Sequence, residues 1–203
     1  QLGEIVLEKA CAQAQLWRDE GLDLYLSVNM SARQLADECL PTRLAGIVTR
    51  TDTGPGQLWL EITETALVED LDQARKALRQ IDELGVRVSI DDFGTGWASL
   101  TYLREFPVHA LKIDRLFVNG LGNESSDLAI VKSILALGRE LGLDVIAEGI
   151  ETLDQRAILC ELGCETGQGY FFGRPTPPDE LLDKWRGDHR LPSPRTYTAP
   201  APP

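Results

Sequence analysis

The segment VRVSIDDFGTG, at residues 86–96, joins a short apolar run to two aspartates and a glycine-rich turn. In the run 86–90, the apolar residues Val86, Val88 and Ile90 alternate with polar ones, which is typical of a strand. The strand pattern stops at Asp91 and Asp92, where a turning backbone can aim both side chains at one site. The same order, an apolar run and then a polar residue, recurs along the chain and indicates the fold.

Short apolar runs alternate with amphipathic helical stretches over most of the chain. The six runs cover residues 24–28, 58–62, 86–90, 110–113, 144–147 and 166–170. Helical patterns cover residues 3–19, 72–84 and 127–141, and Gly85 and Gly142 follow the last two in the position of a helix C′ residue. Five of the six runs are strongly apolar, as in parallel strands buried on both faces, so the sequence predicts an α/β fold with a parallel sheet.

Two parallel architectures fit this alternation, an open doubly wound sheet and a closed (β/α)8 barrel. Six units suit the open sheet and leave a barrel two units short. Polar side chains at the ends of the runs are Asn29, Glu61, Glu64, Asp91, Asp92, Lys112, Asp114, Glu148, Glu151 and Gln168. In a barrel these ends converge on one mouth, whereas the outer strands of an open sheet are too distant to share a site. The polar ends therefore favour the barrel.

So many carboxylates in one place require a cation, and oxygen ligands without His or Cys suit Mg²⁺ or Mn²⁺. Two such ions, about 3.5–4 Å apart, would clamp a phosphodiester and activate a water. Lys112 would then orient or deprotonate that water, or stabilise charge in the transition state. A purely structural role as helix caps is open to Asp92 and Glu64. Acids at four of the six exits favour a functional site.

Composition excludes several classes of protein. The 203 residues suit one domain, and the net charge of -12 disfavours a nucleic-acid polymer as partner. No run approaches the ~20 apolar residues of a membrane span, and residues 1–4 do not resemble a signal peptide, so we expect no direct membrane contact from this chain. The spacing of Cys11, Cys39, Cys160 and Cys164 does not suit a zinc site, which predicts reduced, mostly buried thiols. We expect His109 and His189 at the surface.

The ordered set of strand-end motifs resembles the EAL family of cyclic di-GMP phosphodiesterases. The segments that carry the resemblance are 28–31 (VNMS), 61–64 (EITE), 91–96 (DDFGTG), 111–114 (LKID), 147–151 (AEGIE) and 168–170 (QGY). The likeness covers about residues 1–186 and implies a modified (β/α)8 TIM-like barrel over residues 1–187. It also implies a cytoplasmic hydrolase of bacterial signalling, which converts cyclic di-GMP to linear pGpG with two Mg²⁺ or Mn²⁺ ions. The proline-rich residues 188–203 are predicted to be an extended or disordered tail.

The resemblance also implies a role for each residue at the mouth. Asn29, Glu61 and Asp91 correspond to ligands of the first metal, and Asp91, Asp92 and Glu148 to ligands of the second. Lys112, Asp114 and Glu148 correspond to catalytic positions, and Ser31, Glu151, Gln168 and Pro175 to positions that contact the ligand or its waters. Glu64 corresponds to the residue that anchors the loop after Asp92, a loop linked in the family to dimerisation. Trp97 stands where the family more often has Tyr.

The Glu-Ala-Leu motif that names the family does not occur in this sequence. Either the sequence begins inside the domain, or the protein lacks that segment. We expect a barrel without two of its strands to be poorly stable, to associate and to bind metal weakly. A longer parent protein with sensory or GGDEF domains upstream, either free or tethered to a membrane, fits the family, as does a homodimer. A catalytically inactive cyclic di-GMP receptor is the alternative to an enzyme.

Overall fold

The computed structural model describes residues 2–22, 24–54, 56–68, 70–96, 100–122 and 125–187. Within these ranges, six parallel strands form one sheet. They are β1 (Leu26–Met30), β2 (Leu58–Thr63), β3 (Arg87–Phe93), β4 (Ala110–Ile113), β5 (Asp144–Ala147) and β6 (Thr166–Gly167). The strands lie in chain order, and each pairs in parallel with the next. Because β1 and β6 are both edges among the described residues, the sheet is open, as expected for six of the eight units of a barrel.

One helix precedes the first strand, and at least one helix follows each strand. They are α1 (Leu2–Asp19), α2 (Ala32–Leu35), α3 (Leu40–Arg50), α4 (Glu64–Val68), α5 (Leu71–Glu83), α6 (Leu100–Glu105), α7 (Arg115–Asn119), α8 (Ser125–Leu141), α9 (Leu153–Glu161) and α10 (Pro178–Gly187). The carboxylate of Asp70 caps α5, and the hydroxyl of Thr152 caps α9. Gly85 and Gly142 follow α5 and α8 with φ of 76° and 68°, which confirms both predicted helix ends.

The two faces of the sheet differ in chemistry. Alternate strand residues point to opposite faces. The face toward the helices carries fully buried aliphatic side chains, namely Leu60, Ile62, Val88, Ile90, Leu111 and Ile113. The other face carries Glu61, Ser89, Asp91 and Lys112, which alternate with them in the chain. The hydrophobic core therefore lies between sheet and helices, and the polar side chains lie on the opposite face of the sheet.

Several sequence predictions of local structure are refined. The predicted strands at 110–113 and 144–147 match β4 and β5, whereas β1 begins two residues later than expected and β6 ends at Gly167. The prediction that His109 lies at the surface is wrong, because its side chain is only 14% exposed. Its Nδ1 accepts a hydrogen bond from the Val88 amide at 3.1 Å, and its Nε2 lies 3.2 Å from the Asp82 carboxylate. His189 and the predicted tail, residues 188–203, lie outside the described residues.

The four cysteines are free thiols, as predicted. The expectation that most are buried is wrong, because Cys39 and Cys160 are exposed and only Cys11 is fully buried. Among the described helices, none combines the length and the apolar composition that crossing a membrane requires.

Candidate metal-binding active site

Lys112 lies at the centre of the polar face and contacts three carboxylates. Its Nζ atom is 2.7 Å from Glu61 Oε2, 3.0 Å from Asp91 Oδ1 and 2.5 Å from Glu148 Oε1. The lysine side chain is only 3% exposed. One ammonium group therefore connects β2, β3, β4 and the residue that follows β5.

The register of the strands explains why these side chains meet. Glu61 on β2 lies opposite Ser89 on β3, so Glu61 and Asp91 occupy neighbouring positions on the same face. The pairing of β3 with β4 is regular at Ile90 and shifts before Phe93. Within this irregularity Asp92 takes a φ of 54°, a left-handed conformation that is uncommon for a residue other than glycine. The turn lets consecutive aspartates face one site.

Three of these carboxylates form a cluster suited to a cation. Oxygen atoms of Asp91, Asp92 and Glu148 all lie within 4.8 Å of one another. Asp91 Oδ1 is buried, and it lies close enough to Lys112 for an ion pair, but its orientation leaves it without a hydrogen bond among the described residues. A buried carboxylate oxygen without such a partner is costly unless another group satisfies it. The donor set, all oxygen, therefore fits a divalent ion such as Mg²⁺ or Mn²⁺.

Burial and the neighbouring charges shift the pKa of three residues of the site. Burial, a hydrogen bond with Asp114 and repulsion from Asp91 raise the pKa of Asp92. Burial also raises the pKa of Glu148, although the neighbouring Lys112 opposes this. Burial alone would lower the pKa of Lys112, but hydrogen bonds to Glu148 and Glu61 outweigh it and raise that pKa above its usual value. Lys112 is thus a fixed ammonium within a crowded group of acids.

Gln168 and Asp114 also reach this cluster. Gln168, directly after β6, donates from Nε2 to Glu148 Oε1 at 2.6 Å. Asp114, directly after β4, accepts a hydrogen bond from the Leu116 amide at 2.7 Å and caps α7, while its side chain also contacts Asp92. Asp114 therefore has a structural role in addition to its place at the mouth.

Asn29 lies at the open edge of the sheet. It is an exposed residue of β1, and its Cα pairs in register with that of Glu61 on β2. The order of the strands thus places the predicted ligand Asn29 next to the Lys112 cluster, on the strand that has no further neighbour among the described residues.

Glu64 lies beneath the loop that follows Asp92. Its side chain is buried, and Oε2 accepts a hydrogen bond from the Gly94 amide at 3.3 Å. A Cβ atom at Gly96 would lie 2.6 Å from Glu64 Oε1, so a larger residue at this position would displace the Glu64 carboxylate. Trp97, the next residue of the loop, lies outside the described residues.

The predicted ligand-contacting residues other than Gln168 lie around the mouth. Ser31 follows β1 and caps α2, with its hydroxyl 2.8 Å from Gln34 Oε1. Glu151 is exposed, and its backbone amide donates to Gln155 Oε1 at 2.8 Å. Pro175 is exposed in the segment after β6. The structure gives none of these three a contact with the Lys112 cluster among the described residues.

Two residues of the site region were not singled out from the sequence. Ser89 is buried on the polar face, and its hydroxyl has no hydrogen-bond partner among the described residues. Its position two residues before Asp91 was the signal that could have found it, because alternate strand residues share a face. Gly169 approaches the backbone of Ile150 so closely that a Cβ atom would not fit. No sequence pattern reveals such a contact between segments far apart in the chain.

Comparisons with known proteins identify the family and the fold. The sequence model of the EAL domain family matches residues 1–175. The bifunctional diguanylate cyclase/cyclic di-GMP phosphodiesterase MucR of Pseudomonas aeruginosa is 46% identical over 183 residues, which are 90% of this chain and 27% of MucR. The chain spans about a quarter of the length of the curated relatives it matches.

Solved structures show the same fold. A structure of the MucR phosphodiesterase in complex with cyclic di-GMP superposes with a TM-score of 0.86 at 46% identity, covering 89% of this chain and 74% of that one. The EAL domain of Mycobacterium smegmatis DcpA gives 0.87 at 38% identity, covering 95% and 86%. The family match, the barrel-like sheet and the acidic mouth agree, and the chain belongs to the EAL domain family.

Proposed function

We propose that this chain is the cyclic di-GMP phosphodiesterase part of a longer signalling protein and that it hydrolyses cyclic di-GMP to linear pGpG. The observation that carries the proposal is the cluster around Lys112, where Glu61 of β2, Asp91 of β3 and Glu148, which follows β5, converge. The relative MucR, whose name includes this activity, and the MucR structure with cyclic di-GMP bound support the choice of substrate.

Two divalent ions, Mg²⁺ or Mn²⁺, are the proposed cofactors. Asn29, Glu61 and Asp91 would hold the first, and Asp91, Asp92 and Glu148 would hold the second. The short separations among Asp91, Asp92 and Glu148 and the burial of Asp91 Oδ1 support this assignment. Bound ions of this kind neutralise charge on the phosphodiester and lower the pKa of a water so that it can attack.

The residues of the chain position and balance this site. Lys112 is proposed to hold Glu61, Asp91 and Glu148 in place and to offset their charge, because all three carboxylates lie within 3.0 Å of its Nζ atom. Gln168 orients Glu148 through its amide, and Asp114 orients Asp92. Glu64 holds the loop after Asp92 at a fixed distance from the carboxylates.

We also propose which residues contact the substrate and what the longer protein contains. Ser31, Glu151, Gln168 and Pro175 are proposed to contact cyclic di-GMP, since they lie on the segments that follow β1, β5 and β6. The proposed catalytic domain covers residues 1–187. We also propose a cytoplasmic location, a homodimeric form and GGDEF or sensory domains upstream. The bifunctional name of MucR, a diguanylate cyclase as well as a phosphodiesterase, supports only the GGDEF part of this proposal.

The test compares the full-length protein that contains this chain with the 203-residue chain alone, in Mg²⁺ and in Mn²⁺. Nucleotide products are separated by chromatography, and binding of cyclic di-GMP is measured by calorimetry in Ca²⁺. The proposal expects pGpG from the full-length protein, and little from the open sheet alone. Tight binding of cyclic di-GMP by the full-length protein with no pGpG would replace the enzyme with a receptor.

A further inference from the structure

The segments that leave β5 and β6 are joined by backbone hydrogen bonds. The Gln168 amide donates to the Ala147 carbonyl at 2.8 Å, and the Ile150 amide donates to the Gln168 carbonyl at 3.0 Å. The Phe171 amide then donates to the Ile150 carbonyl at 2.9 Å. Ile150 is therefore held on both sides of Gly169, and the two segments lie in direct backbone contact.

Gly169 makes this contact possible. A Cβ atom at this position would lie 2.2 Å from the Ile150 carbonyl oxygen and 2.3 Å from the Ile150 nitrogen. Both are backbone atoms that take part in the hydrogen bonds just described, so neither can rotate aside. The φ of 155° is also unusual for a residue with a side chain. Any side chain here must push the Gln168 segment away from Ile150.

The side chain of Gln168 connects this segment to the acidic cluster, so a displacement of the segment would also move that side chain. Gln168 Nε2 donates to Glu148 Oε1 at 2.6 Å, and the same oxygen lies 2.5 Å from Lys112 Nζ. The orientation of Glu148 thus depends on two donors, one carried by β4 and one by the segment that Gly169 holds in place. Groups that orient a metal ligand through a hydrogen bond affect metal affinity without touching the metal.

We propose that Gly169 is a positioning residue for the phosphodiesterase site: its missing side chain lets the Gln168 amide reach Glu148 and fixes that carboxylate for metal binding. This inference rests on the proposed function, and it assigns Gly169 no contact with substrate or reacting atoms. A substitution at Gly169 is therefore expected to lower metal affinity and activity only by displacing Gln168.

The test uses the full-length protein and four variants: Gly169→Ala, Gln168→Ala, the double variant of both, and Gly173→Ala. Gly173 is the matched control, because a Cβ atom there meets no described atom within 4 Å. Mn²⁺ affinity is measured by titration with electron paramagnetic resonance, and kcat and KM are measured with cyclic di-GMP. We expect Gly169→Ala to lower Mn²⁺ affinity and kcat about 10-fold or more, with a smaller change in KM.

The double variant separates positioning from a general structural role. If Gly169 acts through Gln168, Mn²⁺ affinity and kcat fall no further in the double variant than in Gln168→Ala alone. The proposal would be overturned if the double variant lost Mn²⁺ affinity and kcat by the product of the two single-variant factors. It would also be overturned if Gly169→Ala were as active as Gly173→Ala. A crystal structure of Gly169→Ala that keeps the 2.6 Å contact between Gln168 and Glu148 would overturn it as well.

A milder variant covers the case in which Gly169→Ala does not fold. A Cβ atom at Gly167 would lie 2.5 Å from the flexible Ile150 Cδ1 atom and 3.4 Å from the Ala147 carbonyl oxygen. Gly167→Ala is expected to give a smaller loss that disappears in the Gln168→Ala background, and a loss that persists there contradicts the proposal. If the wild-type protein produced no pGpG, that result would count against the proposed function alone. The Mn²⁺ affinities of the variants would still test the role of Gly169.

Discussion

Lys112 Nζ lies 2.5 Å from Glu148 Oε1, so a cation on β4 is paired with an acid that follows β5. The same ammonium group also reaches Glu61 and Asp91, and all four side chains are largely buried. In a buried group of this kind, removal of the one cation leaves several charges uncompensated. The pairing therefore connects the stability of the sheet with the chemistry of its mouth.

Replacement of Lys112 should cost both stability and activity. We expect Lys112→Met to lower the free energy of unfolding by about 3–5 kcal/mol in the absence of metal, because three buried acids lose their partner. Urea unfolding in EDTA measures this change, with Lys132→Met on the exposed side of α8 as the control. Added Mg²⁺ should restore part of the loss, since a bound cation stabilises the folded state. Equal stability of the two variants in EDTA would contradict the ion-pair account.

Replacement of Asp92 should separate stability from function. Asp92→Asn removes the repulsion from Asp91, and asparagine tolerates the left-handed backbone at this position. We expect the metal-free protein to gain about 1 kcal/mol of unfolding free energy while Mn²⁺ binding and hydrolysis are lost. Thermal unfolding in EDTA and a Mn²⁺ titration check the two effects. Retained Mn²⁺ affinity would remove Asp92 from the proposed ligands.

Replacement of Glu64 should lower turnover more than metal affinity. Glu64 accepts a hydrogen bond from Gly94 in the loop after Asp92, and it is absent from the described acidic cluster. Glu64→Gln is expected to reduce kcat about 10-fold with a change of less than about 3-fold in Mn²⁺ affinity. Glu83→Gln at the exposed end of α5 is the control. An equal fall in both quantities would place Glu64 among the ligands instead.

His109 should make stability depend on pH in a predictable direction. Burial and the nearby Arg87 lower its pKa below the ordinary value of 6.5, although Asp82 opposes this. Between the lowered pKa and 6.5 the unfolded chain binds more protons than the folded protein, so stability falls as the pH drops through this window. His109→Gln should lose less stability than wild type between pH 7.5 and pH 5.0 in urea unfolding. Parallel pH profiles would show that His109 does not titrate as described.

Much of the fold could be predicted from local patterns. The runs at 110–113 and 144–147 are apolar apart from Lys112 and Asp144, and these strands form with the predicted bounds. Gly85 and Gly142 marked the ends of α5 and α8 because their left-handed backbone is a local requirement. The start of β1 and the end of β6 were placed less well, since tertiary contacts set them. One example is the hydrogen bond from the Leu26 amide to the Gln57 carbonyl.

The candidate site could also be predicted only in part from the sequence. Strand-end position was enough to predict that Glu61, Asp91, Lys112 and Glu148 lie together. The double role of Asp114, which caps α7 and contacts Asp92, could be recognised only in the structure. His109 was misjudged because its burial depends on Val88 and Asp82, which lie more than 20 residues away in the chain. Contacts between distant segments leave no periodic signal in a single sequence.

Hydrolysis of cyclic di-GMP by the Asp91→Asn variant of the full-length protein tests the central claim most directly. The variant is compared with wild type and with Asp19→Asn, which changes an exposed acid at the end of α1. With Mn²⁺ present, the account predicts pGpG from wild type and Asp19→Asn, and a loss of at least about 100-fold from Asp91→Asn while circular dichroism shows the fold intact. Near-normal turnover by folded Asp91→Asn would contradict the assignment of the reaction to this acidic mouth.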